Sequence, residues 1–353
     1  MTPEILMEKE TTVMDDTSNG RYMIRRGMFD DAEAIAALFG HVYRQTSHPF
    51  SNLPSVRENL SKQTDYWLLA IASGQVVACT AIILHRWNHV YETCSSVTHP
   101  DWQTSGIGRQ LLIRANEWML AQPDCDLTYG VPRRLAMHHL FVKRFGFLYV
   151  LVGHDGAMDY ATGQLEYHGL ALMHRPGHQV LRVLPSGLPA SFAQVVDEHI
   201  NVPLAFDGAC DKYPDDWVVG PEDAAALTVE HTNRKVRFRL SGDDLGNVMH
   251  LDGVVANTSS QEIADYVTKV MQSNGTVRFA HAYVLADKID FVRQLRLRGF
   301  VLSAYLPGWY LKDGHRYDCM LLTWRNPTQT PLINTNGFDP LITQVADWDQ
   351  LLA

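Results

Sequence analysis

Apolar residues recur along this chain with two spacings. After Asp30-Asp31, residues Ile35, Leu38, Phe39 and Val42 fall three or four apart, which predicts a capped amphipathic helix. Ile107, Leu111, Leu112, Ala115, Trp118 and Met119 repeat that spacing, predicting a helix from Gly106 to about Ala121. Between them the apolar runs 66–72 and 76–84 flank Ser73-Gly74-Gln75, a hairpin signal. Residues 22–30 read as a first strand, Val90 to Thr98 as another, and Leu127 to Val131 as a short one. A helix over Leu135 to Phe145 closes at Gly146-Phe147, and strands follow at 148–152 and 165–173. This order predicts an α/β domain with a mixed sheet.

Past residue 175 the chain turns richer in Pro, Gly and Asp, with a helix expected over Ser191 to Ile200. The second half then repeats the pattern weakly. Strands are expected at 235–240, 248–255, 276–284, 301–305 and 317–324, and helices at 260–271 and 287–297, the latter ending at Gly299-Phe300. That ending parallels Gly146-Phe147 and suggests an internal repeat. The expected organisation is a flexible tail over 1–20, a first domain over 21–175, a connection over 176–222, a second domain over 223–330 and a C-terminal tail over 331–353.

Composition narrows the function classes. A length of 353 residues suits two domains. Thirty Lys and Arg against 39 Asp and Glu give a formal charge of −9, which disfavours a nucleic-acid partner. No apolar run reaches the roughly 20 residues needed to cross a bilayer, so no membrane is expected. Met1 to Gly20 lacks a basic start with an apolar block, so no secretory signal is expected, and reduced thiols suit a cytoplasm. The five cysteines are scattered without a CxxC, matching neither a disulfide framework nor a zinc site, and no metal is expected.

The candidate chemistry begins where a strand meets a helix, at Gln103-Thr-Ser-Gly-Ile-Gly-Arg109. A helix start carries backbone N–H groups without intrahelical acceptors, and the helix dipole favours negative charge there. Glycine lets the backbone approach a ligand closely. Thr104 and Ser105 add hydroxyls and Arg109 a cation, so the loop reads as a cradle for phosphate.

The fingerprint is longer than a glycine pair. Gln103-x-x-Gly106-x-Gly108 resembles the Gln/Arg-x-x-Gly-x-Gly/Ala motif of the GNAT superfamily of N-acetyltransferases. His99-Pro100-Asp101-Trp102 resembles that family's lead-in, and Lys143-Arg-Phe-Gly-Phe147 its later helix end. The resemblance covers about residues 22–175 and extends to 225–325 only as a degenerate copy. It implies two tandem GNAT-like domains and acetyl-coenzyme A, or another acyl-coenzyme A, as co-substrate. On the family pattern the amides of Gln103, Thr104, Ser105, Gly106, Ile107, Gly108 and Arg109 hold the pyrophosphate. Val97, Thr98 and His99 then hydrogen-bond the pantetheine arm like an added strand.

Acyl transfer to an amine needs a base, because alkyl amines are protonated at neutral pH. Glu92 is the base candidate: it lies eleven residues before Gln103, an offset matching the base glutamate of the family's histone-acetylating branch. Strand alternation places Glu92, Cys94, Ser96 and Thr98 on one face. His89, Tyr91 and His99 are rivals. The family's usual acid tyrosine is replaced by Val142, which leaves His138, His139 and Tyr149 as acid candidates. The second half offers Ala256-Asn-Thr-Ser-Ser-Gln-Glu262, without glycine, so no coenzyme A site is expected there. The leading expectation is an N-acyltransferase acting on a small-molecule amine, amino acid or peptide, as a monomer or homodimer. A non-catalytic acyl-coenzyme A sensor and an aminoacyl-tRNA-dependent transferase are the alternatives.

Overall fold

The computed structural model describes residues 22–43, 48–62, 65–134, 148–153, 158–159, 164–175, 181–201, 212–221, 227–231, 234–243, 246–273, 277–326 and 333–352. The expected tail over 1–20 and the helix over 135–145 lie outside these residues. The chain divides into two compact units, Met1–Leu84 with Glu92–Pro123, and His85–Tyr91 with Asp124–Ala353. Among the described residues no helix is long and apolar enough to cross a membrane.

In the first unit β1 (Met23–Arg26), β2 (Asp65–Ala72), β3 (Gln75–His85) and β4 (Val90–Thr98) lie side by side in that order. β2 and β3 form the expected antiparallel hairpin, with Leu69 opposite Cys79. Its turn residues Ser73 and Gly74 both take positive φ, 49° and 75°, the geometry that matches the twist of paired strands. Helices α1 (Ala32–Tyr43) and α2 (Leu53–Ser61) cover one face. Ile35, Leu38 and Phe39 of α1 pack there with Val56, Trp67 and Leu69. Trp67 satisfies its buried indole N–H on Asn59 Oδ1 at 2.8 Å, so the largest core side chain leaves no polar atom unpaired. Asp31 anchors the entry to α1, accepting from Met28 N and from both terminal nitrogens of Arg25, each at 2.7 Å. Helix α3 (Ile107–Ala121) buries Ile107, Leu111, Leu112, Ala115 and Met119, the apolar stripe read from the sequence except Trp118, which is half-buried.

The second unit contains β5 (Leu127–Gly130), β6 (Leu148–Gly153), β7 (Met158–Asp159), β8 (Gln164–Glu166) and β9 (His168–His174), with β9 between β5 and β6. After β10 (Arg182–Val183), α4 (Ala190–Val196) and β11 (Asp216–Val219) comes a larger mixed sheet. Its strands are β12 (Leu227–His231), β13 (Arg234–Asp243), β14 (Gly246–Ala256), β15 (Val277–Leu285), β16 (Val301–Lys312) and β17 (His315–Arg325). Helix α5 (Ser260–Ser273) joins β14 to β15, which run parallel, as a parallel pair requires a crossover. β14 and β15 pair from Asn247 and Val277 to Leu251 and Ala282 and then part. β11 fills the opening, pairing antiparallel with both: Val218 lies opposite Val254 on one side and Val284 on the other. Helix α6 (Ile289–Arg296) precedes β16. β18 (Ile333–Asn334) pairs with β8, and α7 (Asp339–Gln350) buries Val345 and Trp348.

This unit buries charge as well as apolar surface. Asp318, fully buried on β17, accepts from Arg182 Nε at 2.6 Å, Arg182 Nη2 at 2.5 Å, Tyr305 Oη at 2.5 Å and Gly308 N at 2.8 Å. Glu166, also buried, accepts from Arg133 Nε at 2.5 Å, His168 Nε2 at 2.9 Å and Asn336 Nδ2 at 2.9 Å. Both carboxylates have their lone pairs engaged, which is what permits their burial.

Candidate functional site

β4 carries the chain to the site and is not regular. Cys94 and Val97 both pack on the core under α1 and α2. Thr93 and Thr98 both turn toward α3: Thr93 Oγ1 lies 3.6 Å from Met119 Sδ, and a Cβ at Gly108 would sit 2.9 Å from Thr98 Oγ1. Three and five residues separate these pairs. In an unbroken strand such odd separations point to opposite faces. Ser95, at φ 50°, is the extra residue that restores them, a β-bulge. Thr80, fully buried on β3, supports it by bonding Ser96 Oγ at 2.6 Å and donating to Cys94 O at 3.3 Å.

The bulge corrects one expectation. Glu92, Cys94, Ser96 and Thr98 do not share a face; Glu92 stays with Cys94, and Thr98 goes with α3. Glu92 is half-buried in β4. Burial first, and then the charge of Glu92, push the Cys94 thiol well above its usual pKa, so this cysteine is a packed thiol.

Past β4, His99 N donates to Val77 O at 2.8 Å, and Pro100–Trp102 make one tight turn. Ser105 turns its own polar atoms inward: its hydroxyl donates to Trp102 O at 2.6 Å and accepts from Ile107 N at 3.3 Å. Gly106 then stands at φ 82°, ψ 0° before the first residue of α3. Glycine takes that left-handed conformation without strain, and nothing lies within 4 Å of where a Cβ would be. Among the described residues the amide N–H groups of Thr104, Gly106, Gly108 and Arg109 have no acceptor, and Arg109 has no ion-pair partner. Residues 103–106 and Arg109 are exposed. The loop therefore presents four donors, one helix start and one cation to solvent, a donor set suited to an anion with several oxygens.

The remaining candidates are dispersed. The side chain of Val97 is buried, leaving only its backbone to a ligand. Ile107 is likewise buried and offers no side chain. Gln103 donates weakly to Thr98 O at 3.5 Å. His99 stacks on His41 with ring centroids 4.4 Å apart, a neighbour that sequence spacing could not supply. Tyr91 donates to Asp124 at 3.0 Å, and burial, with the charge of Asp124, raises its pKa. His89 lies 3.7 Å from the same carboxylate. His138 and His139 fall outside the described residues, as does the side chain of Tyr149. Among the described residues no three His, Cys, Asp or Glu side chains are grouped to hold a metal.

Comparison with known proteins bears on this loop directly. The family model described as the acetyltransferase (GNAT) family matches residues 32–147, a span that contains β4, the open loop and α3. This region is a GNAT acetyltransferase domain. No curated protein matches the chain significantly. Solved structures similar to it include a GNAT-family acetyltransferase from Streptococcus pneumoniae, at 20% identity over 43% of this chain and 99% of that one, TM-score 0.37. A ribosomal-protein-S5-alanine acetyltransferase from Vibrio fischeri shows 15% identity over 44% and 94%, TM-score 0.38. A spermidine N-acetyltransferase chimera from Vibrio cholerae shows 12% over 44% and 96%, TM-score 0.36. The assignment of the GNAT domain rests on the family match and the loop, and its class is N-acetyltransferase.

Proposed function

We propose that the chain is an acyl-coenzyme A-dependent N-acyltransferase. Acetyl-coenzyme A is the simplest donor, and the primary amine of a small molecule, amino acid or peptide is the acceptor. The observation that carries this reading is the group of unpartnered amides at Thr104, Gly106, Gly108 and Arg109, held open by the left-handed Gly106. The fit is chemical: four N–H donors, a helix N-terminus and the Arg109 cation match the oxygens of a diphosphate. Gly108 keeps α3 close to β4, since any side chain there would collide with Thr98 Oγ1 at 2.9 Å. The backbone of Val97, Thr98 and His99 is the edge assigned to the pantetheine arm. When bound, a coenzyme A thioester supplies an activated acyl carbon.

The chain's own part is to bind, orient and move a proton. Glu92 is assigned as the base that takes a proton from the acceptor ammonium, directly or through water. The second half is assigned as a degenerate second copy, with 176–222 as the connection. The succession β13, β14, α5, β15, α6, β16 and β17 supports that reading, because it repeats the strand–strand–helix–strand order of β3, β4, α3 and β5. The five scattered cysteines support a reducing, cytoplasmic setting.

Thiol release from acetyl-coenzyme A across a panel of amines tests the proposal. The expected result is release dependent on one class of amine, with Glu92→Gln slowing turnover about 10²–10⁴-fold while donor binding persists. No release with any amine overturns the enzyme reading; full activity in Glu92→Gln removes the base assignment alone.

A further inference from the structure

A pocket of about 460 Å³ lies within the second unit, between β16, β17 and α7. The acyl-transfer reading makes no use of it. Its volume falls in the range of small-molecule sites. Val301, Leu302, Ile342 and Val345 form apolar walls. Val301 is 50% exposed and lies at the mouth of the pocket.

The polar groups converge with one sign of charge. Asp349 is already neutralised: it accepts from Arg296 Nε and Nη2, both at 2.9 Å, and from Leu302 N at 2.8 Å. Arg325, at the exposed end of β17, also lines the pocket, and among the described residues its side chain has no ion-pair or hydrogen-bond partner. Inside, Ser303 Oγ and Thr323 Oγ1 lie 2.6 Å apart, a pair in which one hydroxyl donates and the other keeps a proton to offer. Ser303 is there because β16 bulges. Leu302 faces Leu322 and Ala304 faces Leu321, so Ser303 is the extra residue. Bulges commonly re-aim a side chain beside a binding site.

We propose that this pocket binds a small amphiphile with one anionic head, a medium-chain carboxylate. Arg325 pairs with the carboxylate, the Ser303–Thr323 hydroxyls add a donor, and the apolar walls enclose the chain. An amine of the same length has no carboxylate free to receive it.

Isothermal titration calorimetry of the full chain with decanoate, octanoate and decylamine tests this. Decanoate is expected to bind with one-to-one stoichiometry and about fifteenfold more tightly than octanoate, since each of its two extra methylenes contributes about fourfold when buried. Decylamine is expected to give no saturable heat. Arg325→Gln should weaken decanoate by about tenfold or more. Ala346→Trp, at an exposed position on the rim of the pocket, should abolish it. Both variants should bind acetyl-coenzyme A as the parent does, which separates this proposal from the acyl-transfer one. Absence of decanoate binding at millimolar concentration, equal binding of decylamine, or unchanged decanoate affinity in Ala346→Trp each overturns it.

Discussion

Helices α3 and α5 each follow the second of two consecutive strands, and their starts are built differently. Ahead of α3, Gly106 adopts φ 82° and leaves four neighbouring amides open to solvent. Ahead of α5 one such amide is closed by a side chain, while among the described residues those of Ser260 and Gln261 have no acceptor. Ser259 Oγ accepts from Glu262 N at 3.2 Å, and Thr258 donates to the Glu262 carboxylate. This is the arrangement by which helices ordinarily cap themselves. The strands preceding the two helices differ as well. Where the family resemblance places the pantetheine arm beside β4, β14 pairs with the chain's own β11. The left-handed Gly106 and the exposed Arg109 set the α3 start apart, and the proposed phosphate site lies there.

If the contrast is sound, perturbing the second unit should move stability, and perturbing the α3 loop should move ligand binding. Asp318→Ala is expected to have the largest effect, about 3–5 kcal/mol of lost stability in denaturant unfolding, because it strands the buried Arg182. The next effect is pH-dependent. Burial opposes ionisation of Glu166, but bonds from His168, Arg133 and Asn336 outweigh it and hold its pKa at about 2, below the ordinary 4.5. A depressed carboxylate pKa contributes stability that is complete above the unfolded value and lost as pH falls through the folded one. Thermal unfolding should therefore lose up to about 3 kcal/mol between pH 4.5 and 2 in the parent, and less in Glu166→Gln. Gly106→Val should erase the stabilisation given by acetyl-coenzyme A, about 2.7 kcal/mol at 100 times the dissociation constant, in a thermal-shift assay. Ser259→Ala should be the mildest, about 1 kcal/mol of stability with unchanged ligand response. A lost ligand response in Ser259→Ala, or a retained one in Gly106→Val, breaks the contrast.

How much of this could be read from the sequence depends on the range of the interaction. α3, the β2–β3 hairpin and the glycine loop at 103–109 are local: helical spacing and a glycine at a turn announce them. The bulge at Ser95 is not, because nothing in Tyr91-Glu-Thr-Cys-Ser-Ser-Val97 signals an inserted residue. It is stabilised from β3 by Thr80, a polar residue in an apolar run that reads as an ordinary strand position. That is why strand alternation puts Glu92 and Thr98 on one face while the structure separates them. β11 is four residues long and obtains its partners from strands 30 to 70 positions later, so no periodicity marks it. α7 lies where the sequence suggests only a C-terminal tail over 331–353. Its helix is fixed by burial of Val345 and Trp348 rather than by its own weak pattern. The Glu166 cluster joins residues from 133 to 336, a gathering that only the fold makes.

Titration calorimetry of acetyl-coenzyme A into the full chain, beside Gly106→Val, tests the central claim most directly. The account predicts one saturable site in the parent and none in the variant. No heat from any coenzyme A thioester in the parent, or equal binding by the variant, would contradict the assignment of the 103–109 loop as the phosphate cradle.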